Sequence, residues 1–511
     1  MSPTSETAAA PRRSLAPVES MATGSQTAAD RPGPAKRPSR DDAREPLRSE
    51  GKLVRISAGD ETPPSTRQVL EKIAQQPYVD SVLALPDVHW KDRMEIPSSI
   101  AITTRDVIVP EFASMAVNDG MGVMKTNLME DEMSSARIAE FFGRVNANAA
   151  VHFFDTNRYS ITGSELRSVL VHGARALLPR YGFDDSLLQR MEGGYVPAEG
   201  LHSASLAELV PPLLLTPFSR CEMGLNFGGN HFLEVQVVDA ILDRETAARW
   251  GFELGQVVVM YHLGPGPFGG ALLHHCARRT KLRRERVPLF FLSKLLFHYA
   301  QRMGRGSFSK KWGLYFRQNG WTPTSVNSEE GIFLRQALAM AMNFGYGYRT
   351  ATMRAIVDGL HEAISPSVGC ELFCDVSHNS LLEEEVGGRT AWVARHNACR
   401  LEAGRPTIVA GSCDIPSYIG IGGEGVSDRL HSYDHGAGHI IEGYRQAVRL
   451  SATRDVVTRL RMTRGRRGRR VVQEDIPGQS SRPIDSLMES FQRIGMMDSV
   501  LRLRPIGNLK N

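Results

Sequence analysis

Six short windows of this chain repeat one pattern, an apolar run followed by His or Asp and then by Gly or Asn. No other feature restricts the fold as much. The windows are Leu85–His89 (LPDVH), Ala116–Gly122 (AVNDGMG), Gly228–Gln236 (GGNHFLEVQ), Val257–Gly264 (VVVMYHLG), Phe373–Asn379 (FCDVSHN) and Tyr433–Gly438 (YDHGAG). A short apolar run reads as a strand, and a Gly-Gly turn running into the alternation Phe232, Leu233, Val235, Val237 reads as a loop entering one. Strand ends that deliver His and Asp to one place build metal or catalytic centres, because rigid strands fix the ligands while loops admit the substrate. Taken alone, His231 reads equally well as a ligand or as a strand-start imidazole bonded to a carbonyl; the other windows favour the ligand.

The inventory, three His and an Asp from separate strand ends, suits a borderline or hard divalent cation such as manganese, zinc or iron(II). Six cysteines, Cys221, Cys276, Cys370, Cys374, Cys399 and Cys413, form neither a disulfide framework nor paired CxxC zinc spacing, which points to a reduced, cytosolic setting. Cys370 and Cys374 read as ordinary buried thiols, one turn apart if helical, and His274 and His275 as surface or packing residues.

With 511 residues and 41% hydrophobic content the chain can bury a large core. No run approaches the roughly 20 apolar residues of a membrane span, so a soluble protein is expected. The net charge of +5 matters because it is clustered. Arg278, Arg279, Lys281, Arg283, Arg284 and Arg286 form one group; Arg459, Arg461, Arg464, Arg466, Arg467, Arg469 and Arg470 form another. Either group could neutralise polyanion phosphates; otherwise the first is a solvated helix face and the second a flexible loop.

Residues 1–51 have almost no large apolar side chains and read as a disordered tail. From Lys52 to Asn511 the chain reads as one large mixed α+β domain. Strand-type runs occur at Ser99–Thr104, Val257–Tyr261 and Thr407–Ala410, and helical windows at Arg67–Gln75, Phe290–Arg302 and Phe333–Asn343. Leu201–Leu215, rich in Leu and Pro, reads as an insertion. Asp87 and His89 read mainly as loop-structuring residues.

The stretches GGNHFLEVQ, DVSHN, Gly411–Tyr418, DHGAG and the terminal LRLRPIGNLK together resemble the RtcB family of RNA ligases, over Lys52 to Asn511 with an altered middle. The resemblance implies a fold of the RtcB type. It also implies GTP- and manganese-dependent joining of RNA 2′,3′-cyclic phosphate or 3′-phosphate ends to 5′-hydroxyl ends. His435 would be the nucleophile that forms a covalent GMP-imidazole. His262 and His378 would ligate one manganese and His231 the other. Asn230 would touch substrate phosphates. Glu234, Gly411, Ser412, Ser417, Ala437, Gly438 and Lys510 would hold the guanine nucleotide. RNA with broken ends is the implied partner, with an activating protein as a further one; a cytoplasmic monomer is the simplest arrangement.

Three places depart from the family pattern. Where the family's metal loop has an Asp and a metal-bridging Cys, this chain has Ala116 and Asp119, so Asp119 becomes the expected metal ligand; its oxygen donor favours harder ions and leaves occupancy of the first site open. After His262 the stretch LGPGPFG lacks an arginine, and Arg395-His396-Asn397-Ala398 replaces a lysine-bearing segment. Both are expected near bound phosphates. Besides a ligase, a metal-dependent RNA-end phosphoesterase and a non-ligating RNA-binding relative therefore stay open.

Overall fold

The computed structural model describes residues 47–57, 62–90, 95–112, 116–148, 157–210, 229–265, 321–465 and 468–510, with isolated positions between. The first arginine-rich group, His274, His275, Cys221, Cys276 and the window Phe290–Arg302 lie outside the described residues.

In chain order the strands are β1 Leu47–Glu50, β2 Leu53–Ile56, β3 Val79–His89, β4 Ser98–Thr104, β5 Val107–Ile108, β6 Gly120–Met129, β7 Phe232–Ile241, β8 Gln256–Leu263 and β9 Thr324–Ser325. They continue as β10 Cys370–Ser377, β11 Asn379–Val386, β12 Arg389–His396, β13 Ala398–Arg400, β14 Pro406–Val409, β15 Ser417–Gly422, β16 Ser432–Asp434, β17 Ala452–Gly465, β18 Gly468–Gln479 and β19 Met497–Lys510. One six-stranded sheet has the order β1-β2-β3-β4-β12-β11. A nine-stranded sheet has the order β10-β6-β8-β7-β19-β15-β14, with β17 also on β19 and β18 on β17.

Around β8 the larger sheet is buried on both faces, which explains why β8 is apolar without a break. Val257, Val259, Tyr261 and Leu263 enter one core and Val258 and Met260 the other, the two-residue alternation of a strand whose sides are both covered. The first core is covered by the helix Glu329–Ala363, buried almost all round from Phe333 to Leu360. It is much longer than the expected window because burial on nearly every side spreads apolar residues around it and hides the 3.6-residue period on which sequence reading depends. The second core is covered by the helix Arg482–Arg493 through Ile484, Leu487, Met488 and Phe491.

Several expectations are corrected. Leu47–Glu50, assigned to the tail, pairs antiparallel with β2. Within Leu201–Leu215, whose residues after Val210 lie outside the described ones, Leu206–Leu209 is a helical turn whose Leu206 and Leu209 are fully buried, which an insertion also allows. Cys370 and Cys374 lie on strand β10; burial pushes both thiols up, Cys370 to about 12. Of the second arginine group, Arg459, Arg461, Arg464, Arg469 and Arg470 lie on the strands of the β17–β18 ribbon, and Arg466 and Arg467 lie outside the described residues. Among the described residues no helix is long and apolar enough to cross a membrane.

Candidate metal and nucleotide centre

Antiparallel pairing makes the end of one strand meet the start of its neighbour, and that rule assembles the site. β8 runs antiparallel to β6 and β7, pairing His262 with Met121 and with Phe232. β10 runs antiparallel to β6, pairing Ser377 with Gly120. Asp119 before β6, His231 before β7, His262 closing β8 and His378 after β10 therefore collect at one edge. His435 follows directly after the short strand β16, whose Asp434 pairs with Ala398 of β13.

Ligand atoms of His262, His378 and His435 lie within 4.8 Å of one another. Nε2 of His262 is 3.2 Å from Nε2 of His378, and the His435 ring stacks on His378 with centroids 4.6 Å apart. His231 Nε2 is 3.3 Å from Asp119 Oδ2, and its ring lies 5.3 Å from that of His262. The four histidines and Asp119 thus form one centre, with the expected nucleophile inside the ligand cluster.

Burial, and then the neighbouring imidazoles, hold His262 and His378 well below the ordinary histidine value, so both rings stay neutral and able to donate a lone pair. His378 Nδ1 is buried without a hydrogen-bond partner, a polar atom that a cation would satisfy. Neutral imidazoles beside a carboxylate fit a divalent cation of the manganese, zinc or iron(II) class. Gly264 belongs to the same fit: a β-carbon there would fall 1.5 Å from Asp119 Oδ1, so only glycine leaves room for the carboxylate.

Burial also lowers His435, to about 4, against the opposing influence of the Asn397 carbonyl and the Asp119 carboxylate. Its Nδ1 lies 3.0 Å from the carbonyl oxygen of Asn397. A carbonyl only accepts, so Nδ1 carries the proton and donates it, leaving the lone pair on Nε2. That is the protonation pattern of an imidazole nucleophile.

The metal loop is held from behind by residues the sequence reading missed. Arg349, fully buried in the long helix, donates to both carboxylate oxygens of Asp375 at 2.8 Å and to the Asn118 carbonyl at 2.6 Å. Tyr261 donates to Asp375 at 2.6 Å. Asn118 adopts φ of 61°, and its amide donates to the Met342 carbonyl. A charged residue amid an apolar helix was the available signal, because a buried guanidinium requires a partner. Asp87 lies on β3 and accepts from the backbone N–H groups of His439 and Ile440 at 3.2 and 2.8 Å. It caps the helix Gly438–Gln446 just after His435, and His89 stacks on His439 at 4.5 Å.

The expected nucleotide residues fall beside this centre. Glu234, buried on β7, accepts from Gln236 at 2.7 Å and from Asn508 at 2.9 Å. Gln236 also donates to Ser417, whose hydroxyl accepts from the Gly411 N–H at 3.0 Å. A β-carbon on Gly411 would meet the Pro416 carbonyl at 2.1 Å, which fixes glycine at this turn. Ser412 donates to Asp414, and Arg445 reaches both. Ala437 donates to the Ala410 carbonyl, placing this turn beside His435. Gly438 is exposed at the start of its helix with no atom within 4 Å of a β-carbon, and Lys510 ends β19 with its charge acting on Glu234 and His262. Asn230 is exposed in the turn before His231.

Within the segment that replaces the lysine-bearing stretch, Arg395 is fully buried and spends its guanidinium on Glu384, Ser432 and the Leu430 carbonyl. Arg395 lies on β12, while Asn397, two residues on and past the strand end at φ 51°, presents its carbonyl to His435.

The chain is 26% identical over 455 residues to the tRNA-splicing ligase RtcB of Thermococcus kodakarensis, covering 84% of this chain and 87% of that protein. It is 26% identical over 486 residues to the RtcB ligase of Archaeoglobus fulgidus, covering 87% and 92%. Against the Pyrococcus horikoshii ligase the identity is 27% over 422 residues, 77% of this chain but under half, 44%, of that longer protein. The family model for tRNA-splicing ligase RtcB matches residues 69–511; the chain belongs to the RtcB family of tRNA-splicing ligases.

Proposed function

We propose that this protein is a GTP- and manganese-dependent RNA ligase that joins 2′,3′-cyclic phosphate or 3′-phosphate ends to 5′-hydroxyl ends through a covalent His435–GMP intermediate. The observation that carries this reading is the state of His435. Its Nδ1 proton is committed to the Asn397 carbonyl at 3.0 Å, its charge is suppressed by burial, and its free Nε2 lies beside the ligand cluster.

His435 Nε2 attacks the α-phosphorus of GTP; the new N–P bond forms as the bond to the bridging oxygen breaks and pyrophosphate leaves. Asn397 holds the ring proton throughout, so the imidazole needs no separate base. Glu234, Ser412, Ser417 and Gly411 orient the nucleotide, and Gly438 leaves backbone open at a helix start where negative charge is favoured. An oxygen of the RNA 3′-phosphate then attacks the same phosphorus and frees His435, after water has opened any cyclic phosphate. Finally the 5′-hydroxyl oxygen attacks the activated 3′-phosphate, loses its proton and displaces GMP. Cations held by His262 and His378 on one side and by His231 and Asp119 on the other would offset charge developing on phosphorus.

The test is the intact mass of the protein after incubation with GTP and manganese. A gain of one GMP in the parent and none in His435→Ala is expected; no gain with manganese, magnesium, cobalt or zinc overturns the reading. A phosphoesterase is the second reading, favoured by the Asp119–His231 pair at 3.3 Å, where a carboxylate could accept a proton from water. It requires release of terminal phosphate from RNA without GTP.

A further inference from the structure

The β17–β18 ribbon carries a charge arrangement that the centre does not use. Its root is tied into the larger sheet, Thr458 to Arg461 pairing in parallel with Gly507 to Lys510. Beyond Arg461 the only strand partner among the described residues is the ribbon's own second strand. The register sets Arg464 directly opposite Arg469, and Thr463 opposite Arg470. Like charges directly across a strand pair destabilise it, and the whole stretch from Met462 to Gln473 contains no acid. The root differs: there Glu474 lies 3.4 Å from Arg459 and 3.5 Å from Arg461. The outer ribbon is therefore a cationic two-stranded arm without compensating acids in its own sequence, rooted against the strand end that bears Lys510.

We propose that this arm is an RNA-backbone clamp that holds the substrate strand on its way to His435. The proposal rests on the ligase reading for the identity of the polymer. A polyanion neutralises the like charges that the register sets opposite one another, and counterion release drives the contact. Its position favours RNA over an anionic membrane. The register that anchors the arm ends at Asn508–Lys510, and Asn508 donates to Glu234, so a strand gripped by the arm is delivered to the nucleotide side of the centre. Phosphate contacts of this kind set position and affinity without reading sequence.

The experiment is RNA binding by fluorescence anisotropy, with a labelled single-stranded RNA of about 20 nucleotides across about 0.05 to 0.5 M salt. The full-length parent is compared with the triple variants Arg464→Gln/Arg469→Gln/Arg470→Gln and Arg464→Lys/Arg469→Lys/Arg470→Lys, with circular dichroism reporting the fold. The glutamine triple is expected to reduce the slope of log K against log salt by about 2 and the affinity at 0.1 M salt by about a hundredfold. The lysine triple should keep both near the parent's values, because point charges serve a backbone contact. Unchanged slope and affinity in a folded glutamine triple overturn the clamp, as does arm-dependent binding of phosphatidylserine vesicles without arm-dependent binding of RNA. The clamp and the ligase reading fail separately. A parent that gains GMP but binds RNA independently of the arm loses only the clamp; a parent that binds RNA through the arm but gains no GMP loses only nucleotidyl transfer.

Discussion

At the scale of single residues, the centre works by burying groups whose charge it must control. Glu234 is the clearest case, because burial lifts its carboxyl from 4.5 to about 7 while Gln236 and Asn508 pull the other way. The folded state therefore keeps a proton that the unfolded chain releases. The stability this represents is complete below about pH 4.5 and is lost as pH rises through about 7, an effect of up to about 3 kcal/mol. Urea titrations of the metal-free protein between pH 4 and 8 should show the parent losing this much stability relative to Glu234→Gln, which stays neutral, because Glu192 and the buried histidines titrate alike in both. Parallel pH profiles for the two proteins would refute the assignment. The motif around Glu234 is legible in the sequence; the buried environment that makes it a pH-sensitive acid is not, since it depends on Asn508 and Ser417 from remote strands.

At the scale of elements, the helix Gly438–Gln446 has no side-chain cap of its own, Ala437 occupying that position. Asp87 supplies the missing acceptor from β3, about 350 residues earlier in the chain. Asp87 also lies against Asp434, whose carboxyl is raised well above its usual value by burial and then by Asp87 itself. Asp434 Oδ2 accepts from the Asp87 N–H at 2.9 Å. Replacing Asp87 by Ala should cost about 1 to 2 kcal/mol in urea unfolding and slow GMP transfer to the neighbouring His435; Asn, which keeps an acceptor, should restore most of the stability. Equal stabilities for parent and Ala variant would remove the capping role. Asp87 thus caps a remote helix from a strand instead of structuring a loop of its own, which local sequence cannot reveal because backbone donors carry no residue signature.

At the scale of the whole molecule, the centre joins strands distant in sequence, so occupancy should stabilise the entire domain. A ligand bound at about a hundred times its dissociation constant adds about 3 kcal/mol to the folded state. Chelation of manganese should therefore lower the melting temperature of the parent by a few degrees and leave His378→Ala unchanged. A chelator effect of equal size in both would place the stabilising metal elsewhere. Because His262 and His378 are held neutral by burial, they need release no proton to bind a cation near neutral pH.

The sequence by itself determined the mixed class, the strand-end mounting of His231, His262 and His378, and the membership in a ligase family, because periodicity and long motifs are local properties of a chain. It could not say which residue of the segment Arg395–Ala398 reaches the centre, since β12 sets Arg395 on Glu384 and leaves the Asn397 carbonyl on His435. Nor could it find Arg349 and Asp375, which hold the Asn118 loop from one helix and one strand, or the Asn397 carbonyl that sets the tautomer of His435. Only the tertiary structure decided these, since a buried charge or a backbone acceptor acquires its role from what packs against it. The arginine ribbon falls between: its charge is written in the sequence, and its anchorage beside Lys510 comes from strand register.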